Sequence, residues 1–163
     1  MRCRLSLLFV LGLFCTAFPA RADWQLTQWN MSRDAVVAAS QGSVHAVDGK
    51  PGQRRWGLDL AAEGTVSQGL LVKSRFFFDK AGRLKAVSLE PGALADCSAL
   101  RDRIEKQYGE PADRRFVYKD IDFSEYWRAG SDFVRWNESK GLACFVIIAP
   151  LENIDAQGAP HFN

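Results

Sequence analysis

The chain has 163 residues, 47% of them hydrophobic and 25% charged, with 21 Lys+Arg against 19 Asp+Glu and a formal net charge of +2. Three of the basic residues, Arg2, Arg4 and Arg21, lie in the first 22 positions, which hold no acid, so the remaining 141 residues carry 18 basic against 19 acidic side chains. That length fits one domain, and that balance removes bulk charge as a reason to expect nucleic-acid binding.

The first segment reads as a secretory leader. Arg2 and Arg4 precede an apolar run from Leu7 to Phe18, and Ala20-Arg21-Ala22 supplies the small residues of a cleavage site. The run is too short for a comfortable membrane span. Cleavage after Ala22 gives a chain that starts at Asp23, bound for a bacterial periplasm or the medium. Cys15 follows the bulky Phe14, which argues against lipidation. No later stretch is long and apolar enough to span a membrane.

Beyond the leader the elements follow in order. Trp24 to Trp29 is an extended entry. Ser32 is placed to cap a short helix over 33–41, with Asp34 in its first turn. Residues 42–55 read as a loop punctuated by Gly42, Gly49, Pro51 and Gly52. A weak strand over 56–61 is followed by a clearer one over 70–79, a turn at Asp79-Lys80-Ala81-Gly82, and a returning strand over 84–90. Cys97, Leu100, Ile104 and Tyr108 form one stripe of a second helix, which Gly109 and Pro111 stop. Extended stretches follow at 116–119, 126–136 with a break near Gly130, and 142–149, the last two joined through Asn137–Gly141. From Leu151 the tail is polar. The expectation is an α+β fold: an antiparallel sheet with two helices packed on one face, in helix-meander-helix-meander order. Residues 1–22 are the leader, 23–150 the single domain and 151–163 the tail.

Cys3 and Cys15 leave with the leader, so Cys97 and Cys144 remain as a pair in an oxidising compartment. A bridge between them closes about 48 residues, worth roughly 4 kcal/mol in the chain-entropy model. The alternative is a reactive thiol at Cys97, near a helix start. No C-x-x-C spacing supports it.

Candidate chemistry is sparse. His45 and His161 are isolated, no zinc spacing exists, and no serine-hydrolase motif appears. Neither a metal nor a cofactor is expected. The acidic stretch Asp120-Ile121-Asp122-Phe123-Ser124-Glu125 lacks the residues of a calcium loop, although its carboxylates suggest acid–base work on an envelope sugar. Arg54-Arg55 and Arg114-Arg115 sit in presumed loops.

Strand parity is more informative. If Cys144 reaches the second helix, Val146 and Ile148 face that helix and Phe145 and Ile147 face away. The same alternation groups Lys73, Arg75 and Phe77, and also Phe133 and Arg135, on the helix-free face. A sheet face carrying Phe77, Phe133, Phe145 and Ile147 with Lys73, Arg75 and Arg135 suits protein binding.

The pattern Trp29-x-Met31-Ser32, Phe76-x-Phe78, Gly82-x-Leu84-x-x-Val87-x-Leu89, Cys97-x-x-Leu100, Tyr108-Gly109-x-Pro111, Trp127 and Cys144 resembles a group of small exported bacterial proteins without assigned function. That resemblance implies a Cys97–Cys144 disulfide and no activity. More distantly, the order of elements is similar to proteinaceous β-lactamase inhibitors and small outer-membrane assembly lipoproteins. Those use such units to bind proteins, though fold likeness alone fixes no function. The reading is therefore a periplasmic, non-enzymatic interaction module with an envelope protein as partner. The alternative is a small envelope-sugar hydrolase using Asp120, Asp122 or Glu125.

Overall fold

The computed structural model describes residues 27–48, 53–67, 69–118 and 121–154. The leader, the extended entry up to Leu26, Asp120, His161 and most of the C-terminal tail lie outside the described residues. In chain order the elements are α1 (Arg33–Ala39), β1 (Val44–Ala46), β2 (Arg54–Arg55), β3 (Leu58–Ser67), β4 (Leu71–Phe78), β5 (Leu84–Pro91), α2 (Cys97–Tyr108), β6 (Asp113–Tyr118), β7 (Asp122–Ala129), β8 (Asp132–Ser139) and β9 (Ala143–Pro150). The nine strands form one antiparallel sheet in the order β1-β3-β4-β5-β9-β8-β7-β6, with β2 also paired to β3.

This corrects the expected α+β architecture of two helices and two meanders. Among the described residues the fold is mostly antiparallel sheet, and the two α-helices are short, at 7 and 12 residues. Strand content was underread where strands are charged or very short. The stretch 42–55, read as a loop, contributes β1 and β2. Of the weak strand expected over 56–61, residues 58–61 open a ten-residue β3, and Trp56-Gly57 form the turn before it. β6 and β7 begin at Asp113 and Asp122 rather than near 116 and 126. Leu151–Asn153 forms a 3-10 turn in which the Leu151 amide donates to Ser131 O at 2.7 Å.

Local chemistry explains the ends of the elements. The Ser32 hydroxyl caps α1 by accepting from the Ala35 amide at 3.2 Å. The β4–β5 turn is closed by Asp79, whose carboxylate accepts from the Ala81 and Arg83 amides at 2.9 Å and from Arg83 Nε at 3.0 Å. Burial opposes ionisation of Asp79, but these bonds outweigh it and hold the carboxyl below its ordinary pKa. β2 joins β3 through Trp56-Gly57, both at positive φ (53° and 79°). That is the two-residue hairpin turn whose twist matches paired strands. Gly64 in β3 lies so close to β1 that a Cβ would stand 2.1 Å from Ser43 O, so only glycine permits this approach.

One face of the sheet carries the main core. Val72, Phe76, Phe78, Leu84, Val87, Leu89, Val134, Trp136, Val146 and Ile148 pack there with Val36 of α1 and with Leu100 and Ile104 of α2. Twelve helical residues span about 18 Å, and the three strand spacings from β9 to β6 about 14 Å. α2 is therefore long enough to carry the chain from β9, where its start is tied, across β8 and β7 to the far edge at β6. Three anchors hold it. The Cys97–Cys144 disulfide ties its start to β9, with Cα atoms 5.9 Å apart. Arg101 pairs with Glu125 of β7 at 2.6 Å. The Gly109 carbonyl just past its end accepts from Trp127 Nε1 at 2.7 Å. No helix among the described residues is long and apolar enough to cross a membrane.

Removing the disulfide, by reduction or by the pair Cys97→Ala and Cys144→Ala, should cost about 4 kcal/mol of unfolding free energy for a sequence separation of 47. Denaturant titrations with and without reductant measure this. An unchanged midpoint would show that the other two anchors suffice.

Candidate functional site

The helix-free face is built by register. One row of directly opposed residues crosses eight strands: His45, Glu63, Arg75, Ser88, Ile147, Arg135, Tyr126 and Asp113. Opposed residues in a ladder point to the same side, so this row belongs to one surface. Two bulges adjust the neighbouring strands. The shift between Leu60 and Ala62 in β3 turns Leu60 to this face and Ala62 to the helices. The shift beside Phe78 does the same for Ala86 and Leu84.

All seven residues assigned to this face from parity, Lys73, Arg75, Phe77, Phe133, Arg135, Phe145 and Ile147, occupy it. Their exposure differs from an open Phe-rich surface. Phe77, Phe133 and Ile147 are only 1–3% exposed, Phe145, Arg75 and Arg135 are half-buried, and Lys73 is exposed. Phe77 is covered by the β2 hairpin: Trp56 packs edge-on against it at 5.8 Å between ring centroids, and Val47 joins the same small cluster. Phe133 lies against Tyr126 at 5.8 Å.

Cations occupy the rest of the face. Arg75 pairs with Glu90 at 2.8 Å and Arg115 with Asp113 at 2.8 Å. Arg115 and Arg135 both lie over the Tyr126 ring, at 5.1 and 5.5 Å. Arg55 lies over Phe145 at 6.0 Å. Arg55, Lys73 and Arg135 form no ion pair among the described residues. Arg135 has one side-chain hydrogen bond, Nη2 to Ser124 Oγ at 3.3 Å, and its buried Nε has no acceptor. The buried Ser88 hydroxyl, two strands away in the same row, has no partner either.

Two clefts open on this face. One, of about 290 Å³, lies under the β2 hairpin among Arg54, Arg55, Leu60, Arg75, Phe77 and Glu90. The other, of about 210 Å³, is lined by Asp122, Ser124, Arg135, Asn137, Ser139 and Phe145 among others. Phe145 stands between them, with Arg55 of the first cleft over its ring. A further cleft, of about 670 Å³, lies elsewhere, beside the β4–β5 turn. Its ion pairs, Arg54–Asp59 and Arg83–Asp79, are closed internally.

The acidic stretch does not converge. Asp122 and Glu125 are three residues apart in β7 and point to opposite faces. Asp122 is on the helix-free face, where the Ser139 hydroxyl donates to it. Glu125 is fully buried beneath α2, gripped by Arg101 through Nε and Nη2 at 2.6 and 2.9 Å and by Arg114 from β6. Burial by itself would raise the Glu125 pKa, but hydrogen bonds from Arg101 and then Arg114 outweigh it and hold the carboxyl below its ordinary value. A general acid needs the opposite shift. Asp120 lies outside the described residues. His45 is exposed and faces Glu63, with Nε2 3.9 Å from Oε1. Among the described residues no three His, Cys, Asp or Glu side chains group as metal ligands.

Sequence parity missed Ser88, Ser124, Tyr126 and Asn137. Ser88, Tyr126 and Asn137 each oppose a residue already assigned to this face, and carrying the alternation back along β7 from Tyr126 would have added Ser124.

Glu125→Gln should destabilise by about 3 kcal/mol at neutral pH, the lower end for breaking a buried pair because Arg114 is half-exposed. The folded pKa is depressed, so this stabilisation is complete above the unfolded carboxyl value near 4.5 and is lost as pH falls through the lower folded value. Denaturation of both proteins across pH 2–7, as an order-of-magnitude window around that titration, should show the gap closing on the acid side. A gap independent of pH would remove the ion pair as its cause.

No family model, curated protein or solved structure matches this chain, so the argument for function rests on the helix-free face itself.

Proposed function

We propose that the chain is exported, loses residues 1–22, and acts as a non-enzymatic binding module whose contact surface is the helix-free face of the sheet. One observation carries the reading: Arg135 presents a guanidinium with no carboxylate partner and a buried Nε–H with no acceptor. An N–H shielded from water and left unbonded costs on the order of 1–3 kcal/mol. A partner that brings an acceptor recovers that cost on binding. The company of Arg135 supports the same reading, since arginine and aromatic side chains are enriched at protein contact surfaces and Tyr126 and Phe145 flank it. Arg55, Lys73 and Arg135 on this face have no carboxylate ion-pair partner among the described residues, in a chain whose residues after the leader hold slightly more acid than base.

Export is supported by the leader pattern and by the Cys97–Cys144 disulfide, which suits an oxidising compartment. The partner is then an envelope or extracellular protein. A hydrolytic reading has less behind it: Asp122 and Glu125 diverge, and Glu125 is neutralised by two arginines.

The exported product should begin at Asp23 by mass spectrometry. A photo-crosslinking residue at Phe145 should capture an envelope protein, while one at Asp102 on α2 should not. Arg135→Glu should abolish capture with the disulfide and fold intact. Equal capture from both faces, or capture indifferent to Arg135→Glu, would refute the assignment of the surface.

A further inference from the structure

We infer that the cleft between β7, β8 and β9 seats the carboxylate of an Asp or Glu side chain from a protein partner, with Arg135 as its receptor. The inference rests on the helix-free face being the contact surface and names the chemistry that face receives.

The cleft is prepared around one guanidinium. Tyr126 lies under Arg135, and a directed chain fixes its rotamer: Arg135 Nη2 donates to Ser124 Oγ, and Ser124 Oγ donates to Asn137 Oδ1 at 3.1 Å. Little side-chain entropy is then left to lose on binding. The unused Nε–H is on an edge of the planar fork that matches the two oxygens of a carboxylate. Nothing else among the described residues accepts from it.

Size and charge restrict the occupant. The cleft, at about 210 Å³, is smaller than the roughly 300–1,000 Å³ of small-molecule sites, so it suits one side chain projecting from a larger partner. Phe145 supplies an apolar wall for the methylene groups that precede an acid. Asp122 borders the same cleft, where it accepts from Ser139. Its negative charge offsets that of Arg135 and disfavours a dianion such as phosphate. Holding a single carboxylate then depends on the shape of the fork rather than on bulk potential. Arg55 and Lys73, farther along the face, favour further acids on the same partner segment.

The test uses the processed protein, residues 23–163, with its disulfide intact. A shielded Arg135 Nε–H should give a resolved ¹⁵N–¹H resonance, assigned by its loss in Arg135→Lys. The probes are an N-acetylated, C-amidated Ala-Glu-Phe-Ala peptide, its Gln counterpart, acetate and inorganic phosphate. The Glu peptide should shift the Arg135 Nε–H saturably. The Gln peptide, and the Glu peptide on Arg135→Lys, should bind about tenfold more weakly, as expected for one charge-assisted bidentate pair. The Trp127 and Trp136 indole resonances report that the fold is unchanged. Glu and Gln peptides acting alike, or phosphate binding more tightly than the Glu peptide, overturn the carboxylate seat. Acetate matching the Glu peptide overturns a protein segment as its source. Shifts at Lys73 and Phe145 with an unmoved Arg135 Nε–H sink the seat and leave the contact face standing. No shift on the face with any probe sinks both.

Discussion

The structure turns on three residue pairs where β9 meets β5: Val87 with Ile148, Ser88 with Ile147, and Leu89 with Val146. Without them the chain would be two separate small sheets, β1 to β5 and β6 to β9. Each would have an additional exposed edge, a template for pairing with another chain, and only half of the core. The pairing also dictates the path between the halves. For β9 to return beside β5, the chain must first travel to the far edge and fold back through β6, β7 and β8. α2 makes that journey over the face that Val87, Leu89, Val146 and Ile148 present to it. The disulfide sits at the start of this crossing, on β9 itself just before the seam pairs, so the covalent link reinforces the junction that the non-covalent contacts define.

The same seam makes the other face continuous. Ser88 opposite Ile147 is the step that connects Arg75 on one half to Arg135 on the other. The two faces then use arginine in opposite ways. Under α2, Arg101 and Arg114 converge on the buried Glu125, and a charge that would be costly alone becomes a strut between helix and sheet. One residue along β7, Ser124 points the other way and merely orients Arg135 without neutralising it. The alternation of a single strand therefore separates a satisfied ionic cluster from an unsatisfied one by a single residue.

Much of the α2 side was legible in the sequence, because its signals are local and periodic. The Cys97, Leu100, Ile104 stripe and the Val/Ile alternation of β9 each repeat within a few residues. The overall balance of helix and sheet was not legible. β1 and β2 are three and two residues long and sit amid Gly, Pro and Arg, and only the distant edge of β3 makes them strands. Arg114 and Glu125 read as soluble connection chemistry, yet the cross-strand and helix-to-strand contacts that absorb their charge join positions far apart in sequence. Burial on the helix-free face was missed for a related reason. Parity tells which way Phe77 points, but the cover over it is a hairpin closed by Trp56 and Gly57 at positive φ, a turn that Asn-Gly would have announced and Trp-Gly does not.

An exposed apolar face and a charged, prepared one make different demands on a fold. An open Phe surface promotes association with any apolar neighbour. Here Phe77, Phe133 and Ile147 are covered, and the groups left to meet a partner are directional: a guanidinium with a free edge, an oriented hydroxyl and a carboxamide. Such groups discriminate, because a partner without a matching acceptor leaves the Nε–H as unsatisfied as before and gains nothing. Keeping that donor unsatisfied costs stability, and the cost is tolerable because it falls on the face that does not carry the main core. The disulfide, the Glu125 cluster and the packing of Trp127 and Trp136 all lie on the opposite side, so the sheet can hold an unpaired Arg135 in place without depending on it.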